Sequence, residues 1–103
     1  KLYEAIDISA PAGTPIKAAL AGVVVNIRDS AAYGKVIEIE HGRGFRTVYS
    51  RCADVTVALR ARVERGDVIA RMGSFTGAGS SFMSFEVVLD GNRVDPLKYL
   101  PAL

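Results

Sequence analysis

The side chains able to do chemistry in this sequence are few and badly spaced for it. Asp7, His41, Cys52, Ser84, Glu86 and Asp95 are scattered along the chain, and His41 and Cys52 are its sole histidine and cysteine. A catalytic zinc ion takes three protein ligands, usually imidazole with carboxylate or thiolate, and keeps a fourth position open for water. Two ligands two residues apart on a strand share one face. Phe82 and Ser84 hold such a pair of positions just before Glu86. A phenyl ring has no lone pair for a metal, and a serine hydroxyl is a weak neutral donor. His41 precedes Gly42 and reads as a hairpin residue bonded to backbone. Cys52 as a nucleophile needs a base, and its neighbour Arg51 is permanently cationic. No close ligand spacing draws His41, Cys52 and a carboxylate into one site. Residues 73–81 are rich in glycine and serine like a phosphate loop, but they lack its lysine and lead into a strand rather than a helix. Asp7, Glu86 and Asp95 supply too few oxygens for calcium.

These positions must be held by strands. Met83, Phe85, Val87 and Leu89 alternate with Phe82, Ser84, Glu86 and Val88, which predicts a strand with one dry face and one mixed face. Asp90-Gly91 supplies the turn after it. Earlier in the chain, residues 2–8 alternate as a strand, residues 11–15 turn on two prolines, and residues 16–18 continue extended. Residues 23–27 are β-branched enough for another strand. Residues 36–40 and 45–51 read as the arms of a hairpin around 41–44, and residues 67–72 as a further strand. Residues 57–61 fit a short helix. The dry face predicts burial of Met83, Phe85, Val87 and Leu89, with Ile6, Ile8, Ile37 and Ile39 as companions. Gly13-Thr14-Pro15-Ile16 and Gly66-Asp67-Val68-Ile69 share a Gly-x-x-Ile step, a device that a folded-over sheet uses twice. Carrier domains for lipoyl or biotinyl groups use a similar device, but neither Lys17 nor Lys35 sits in a carrier-like hairpin tip. The class is all-β, of twisted antiparallel sheets.

Composition limits the partners. The 103 residues make one domain with a modest core, half of them hydrophobic and 23% charged. The net charge of +2 gives no strong pull toward nucleic acid or membrane. Arg60, Arg62, Arg65 and Arg71 are interleaved with Glu64 and Asp67 and lack aromatic neighbours, so they read as a solvated face. No apolar run is long enough to span a bilayer. The chain begins at Lys1, which predicts a fragment of a longer protein.

The segment Phe85-Glu86-Val87, a turn, then residues 94–100 resembles the C-terminal signature of LytM-type (M23) zinc peptidases, which cut peptidoglycan cross-bridges. The resemblance extends over nearly the whole chain, through residues 5–19, Ala21-Gly22-Val23-Val24, residues 33–37, Glu40-His41-Gly42 and Thr47-Val48-Tyr49. It implies an all-β fold of twisted antiparallel sheets, barrel-sandwich hybrid-like, with a groove. It puts the family's metal ligands on Tyr3, Asp7 and Ser84 and its two catalytic histidines on Arg51 and Phe82. Asp7 alone keeps the family residue. Arg60 stands where the family has a glycine turn, which leaves the backbone of that turn open.

Tyr3 would have to lose a proton of pKa about 10 to bind zinc well, and Arg51 can neither ligate zinc nor act as a base. The expectation is therefore a catalytically degenerate LytM-like domain with no zinc and no other cofactor. By the resemblance it works outside the cytoplasm of a bacterium. Its partners would be another envelope protein in a scaffold or channel, a cell-wall amidase that it activates, or peptidoglycan itself. Tyr3, Tyr49, Arg51 and Phe82 are the candidate contact residues, since aromatics and arginine are enriched at binding hot spots. Asp7 and Arg51 are expected to face each other across the vacated cleft. The competing expectation is an active zinc peptidase, or another cell-wall hydrolase, using unfamiliar ligands.

Overall fold

The computed structural model describes residues 5–31, 33–73 and 80–99, and the side chains of all of these except Ser80, Ser81, Phe82 and Tyr99. Nine strands occur among them: β1 (Ile6–Pro11), β2 (Pro15–Lys17), β3 (Gly22–Ser30), β4 (Gly34–Gly42), β5 (Phe45–Cys52), β6 (Arg62–Val63), β7 (Val68–Arg71), β8 (Ser80–Leu89) and β9 (Asn92–Val94). A 3₁₀ turn over Pro96–Tyr99 follows. The larger sheet runs β1-β8-β5-β4-β3-β6, and β9 pairs with the far half of β8. All of its pairings are antiparallel.

β8 is the spine of that sheet because its alternation gives it a face to bury. Met83, Phe85 and Val87 are buried as their spacing predicts. Phe85 packs edge-on against the ring of Tyr49, with centroids 5.4 Å apart. Burying a side chain of that size is worth about 1.5–3 kcal/mol. Ile37, Ile39, Val24 and Ile69 complete the core around them. Leu89 is half-buried rather than buried. Ile8 is 40% exposed, because β1 is the sheet's outer strand and no described strand covers its far side.

The two Gly-x-x-Ile segments turn out to pair with each other. β2 and β7 form a separate two-stranded sheet, with Ile16 opposite Ala70, and it supplies Ile16, Ile69 and Ala70 to the core. The hairpin turn at Asp90-Gly91 has positive φ at both residues, +52° and +84°, as a type I′ turn requires. Residues 57–61 do not form a helix. The amide of Ala61 donates to the carbonyl of Ala58, and Arg60 takes φ +73°. A positive φ at the third residue is the mark of a type II turn. The amides of Arg60 and Val24 bond across to β3 and to Ala61, and that pairing overrides helix propensity.

One glycine is required by close approach rather than by its own φ. A Cβ on Gly22 would collide with the carbonyl oxygen of Glu40 and lie 2.9 Å from Nδ1 of His41. The connection from β2 to β3 is thereby drawn against β4. A buried polar chain ties it there. His41 Nδ1 lies 2.7 Å from the carbonyl of Ala21, and its Nε2 lies 2.8 Å from Oγ1 of Thr47. Thr47 Oγ1 is 2.8 Å from the hydroxyl of Tyr49, which accepts from the amide of Ala19 at 2.9 Å. His41 is thus a backbone-bonded residue at the start of a hairpin, as its place before Gly42 suggests.

Candidate functional site

The mixed face of the sheet carries the site. Register places Asp7 opposite Ser84, and Ser84 opposite Ser50, so three strands present these residues in one row. The next row holds Asn26, Glu38, Val48 and Glu86 across β3, β4, β5 and β8. Glu40, Arg46, Val88 and Arg93 make the row after that. Alternation sends the neighbours of these residues into the core.

Arg51 sits where the ladder is interrupted. Lys35 pairs with Cys52 and Ile37 with Tyr49, so Ser50 and Arg51 together oppose the single residue Val36. This is a β-bulge, which re-aims the side chains at its apex. Arg51 carries φ +64°, and its amide donates 2.7 Å to the carbonyl of Tyr33. A left-handed arginine within a strand is uncommon and costs about 1–3 kcal/mol.

Asp7 and Ser84 meet as the register requires, the Ser84 hydroxyl donating to Oδ1 of Asp7 at 2.9 Å. The pairing expected between Asp7 and Arg51 is not among the described ion pairs. The reason is exposure. Asp7 lies on the outer strand in contact with solvent, so no desolvated carboxylate demands a guanidinium. Tyr3 lies outside the described residues, as does the side chain of Phe82. Tyr49 does not belong to this face. It pairs with Phe85 rather than with Ser84 and is 2% exposed. One step of alternation therefore turns its ring into the core, and burial raises the pKa of its hydroxyl.

Beside the Asp7 row is a groove of about 200 Å³, lined by Ala5, Arg28, Tyr33, Val36, Val48, Ser50, Glu86 and Arg93. Its floor is apolar and its walls are charged. Glu38 accepts from Arg28 at 2.5 Å and from Asn26 at 3.1 Å, and Arg46 lies 3.5 Å away. Burial by itself would raise the Glu38 pKa. The hydrogen bonds from Arg28 and Asn26 and the charges of Arg28 and Arg46 outweigh burial and hold it below the usual value. Arg46 also bonds to Glu40 at 2.6 Å, and Arg93 lies 3.4 Å from Glu86. Cations and carboxylates thus alternate across this face with their geometry set by one another. Reading the sequence alone singles out Glu86 and Val88 on the mixed face but misses Arg28, Glu38 and Arg93. They come together only through cross-strand register, and the available signal was the alternation within β3 and β4.

The described donors at this site do not fit zinc. Asp7 supplies one carboxylate, already bonded to a serine hydroxyl, and Ser84 supplies a neutral oxygen. Among the described residues, no three histidine, cysteine, aspartate or glutamate side chains gather closely enough to hold a metal ion.

A curled antiparallel sheet with a groove on one face and a two-stranded sheet packed on the other defines the chain as a LytM-type peptidase domain in architecture. The family model for Peptidase family M23 matches residues 1–96, and the chain belongs to that family. A solved structure of a putative peptidase M23 from Pseudomonas aeruginosa superposes with a TM-score of 0.85 at 36% identity, over 96% of this chain and 44% of that one. The uncharacterized lipoprotein YgeR of Escherichia coli is 42% identical over 93% of this chain and 38% of its own length. The murein hydrolase activator EnvC of Escherichia coli is 32% identical over 95% of this chain and 23% of its own length. The chain therefore spans well under half of these curated relatives.

Proposed function

We propose that this chain is a non-catalytic binding or regulatory module of the bacterial cell envelope. Its groove face contacts another envelope protein, with a cell-wall amidase that it activates as the leading case. Peptidoglycan and a scaffold or channel component are the other partners of the same reading. The observation that carries it is the Asp7–Ser84 hydrogen bond, which joins the two described ligand positions of the family resemblance to each other. Similarity to a murein hydrolase activator and to lipoproteins supports both the regulatory role and an extracytoplasmic location. Contact is made by Arg51 at the apex of the bulge, with Tyr3 and Phe82 assigned to the same cleft by the family resemblance. The charged walls of the groove set the register of the partner rather than its affinity, as interfacial charges commonly do.

The test has two arms on the purified domain. After dialysis, elemental analysis is expected to find zinc far below one equivalent, and dye-labelled murein sacculi should stay intact with the domain alone. Added to a cell-wall amidase from the same envelope, the domain should raise dye release, and Arg51→Glu should abolish that rise while circular dichroism stays unchanged. Phe82→Ala should weaken binding by about 1–2 kcal/mol. About one equivalent of zinc together with cleavage by the domain alone establishes the peptidase reading instead. Activation that survives both substitutions moves the interface off the cleft.

A further inference from the structure

A second surface lies at the opposite edge of the sheet, away from the groove. The type II turn of residues 58–61 places Leu59 and Arg60 at its tip, and Arg60 holds φ +73° with no glycine to relieve it. Two backbone hydrogen bonds pin this turn to β3, Arg60 N–H to the carbonyl of Val24 at 2.7 Å and Val24 N–H to the carbonyl of Ala61 at 2.9 Å. The tip is therefore held against β3. Leu59 is 53% exposed and Val25, beside it, is 36% exposed. Between them is a hollow of about 170 Å³ lined by Val23, Val24, Val25, Leu59 and Arg60. Among the described residues, the Arg60 guanidinium has no carboxylate partner. β6 covers the outer side of β3 at Gly22 and Val23 only, so no described strand pairs with that edge at Asn26 and Ile27.

An exposed leucine next to an arginine held in a strained conformation is not accounted for by folding, because glycine would make the same turn without the strain. We infer that the Leu59–Arg60 turn and the adjoining edge of β3 form a docking site for an extended acidic-apolar segment of a partner protein. Three features point to a polypeptide. An open strand edge offers main-chain hydrogen bonds, the hollow takes one apolar side chain, and Arg60 takes a carboxylate. A lipid headgroup would use only the last of these. The bulge at Val25 limits pairing of this edge with a second copy of the chain, because it breaks the flat register that indiscriminate edge pairing needs. The Leu59–Arg60 hollow shares no lining residue with the groove, so it stands whether or not the groove reading does.

A phage-displayed library of 12-residue peptides, panned on the intact domain and counter-screened on variants, tests this. Enriched peptides are expected to carry an apolar residue next to aspartate or glutamate. They should shift amide resonances of residues 23–26 and 58–61 on titration. Arg60→Gly should weaken them about tenfold or more, with Leu59→Ser doing the same and Arg60→Lys costing less. Arg60→Gly keeps the turn, so its urea midpoint should equal or exceed that of the parent, separating lost binding from lost structure. Three results overturn the inference: no enrichment, peptides that bind Arg60→Gly as tightly as the parent, or resonance shifts confined to the groove. Arg60-dependent sedimentation with dioleoyl-phosphatidylglycerol vesicles in the absence of any selected peptide replaces the protein partner by an anionic membrane surface.

Discussion

Removing one oxygen from the core measures how much the buried polar chain contributes. In Tyr49→Phe the ring still fills its place against Phe85, so no cavity forms and the effect is confined to hydrogen bonds. The carbonyl of Ala21 can only accept, so His41 Nδ1 carries a hydrogen and, in the neutral ring, Nε2 accepts from Thr47. The single Thr47 hydroxyl hydrogen is then used, and the Tyr49 hydroxyl must donate to Thr47 while accepting from Ala19. Loss of that hydroxyl leaves a buried Ala19 amide without an acceptor, a cost of about 1–3 kcal/mol, and removes one further bond worth about 1 kcal/mol. The expected loss is about 2–4 kcal/mol, a large share of a small domain's stability. It corresponds to a fall in Tm of about 10–30 °C. Urea unfolding followed by circular dichroism reads it as a shift in midpoint at unchanged slope. Thr47→Val should couple to it by at least about 0.5 kcal/mol in a double-mutant cycle. A loss below about 0.5 kcal/mol, or strict additivity with Thr47→Val, would refute the chain as a unit.

Two further outcomes follow from burial and charge. The Cys52 thiol is 2% exposed and pushed up to about 12 by burial, so a thiol-reactive dye at pH 8 should label it only as fast as the domain unfolds, and at once in urea; rapid labelling under native conditions would place it at the surface. Glu38 is held below its unfolded value, so its contribution is present above the ordinary carboxylate range and lost as pH falls through the lower folded value; Glu38→Gln should flatten this acid-side decline in stability, and an unchanged pH profile would show that Arg28 and Arg46 contribute nothing to it.

Much of this protein was determined by its sequence alone. The alternation of Met83, Phe85 and Val87 names a buried face wherever the strand is placed, because a strand's side chains can point only two ways. Asp90-Gly91 names its own turn, since both residues tolerate positive φ. The absence of nitrogen ligands at Ser84 and Arg51 is a matter of side-chain chemistry and needs no coordinates. What the tertiary structure decided is which faces meet. Tyr49 looks like a groove residue beside Arg51, yet pairing with Phe85 rather than Ser84 turns it inward. Asp7 and Arg51 look like charge partners, yet exposure of the outer strand lets Asp7 settle on Ser84. Residues 57–61 suit a helix on local propensity, and two hydrogen bonds to β3 hold them instead in a turn with Arg60 left-handed. Arg28, Glu38 and Arg93 are separated by many residues and come to share one face of the sheet only through register. Local sequence reports local preference, whereas pairing between distant strands is settled by the burial and hydrogen bonds that all of them satisfy together.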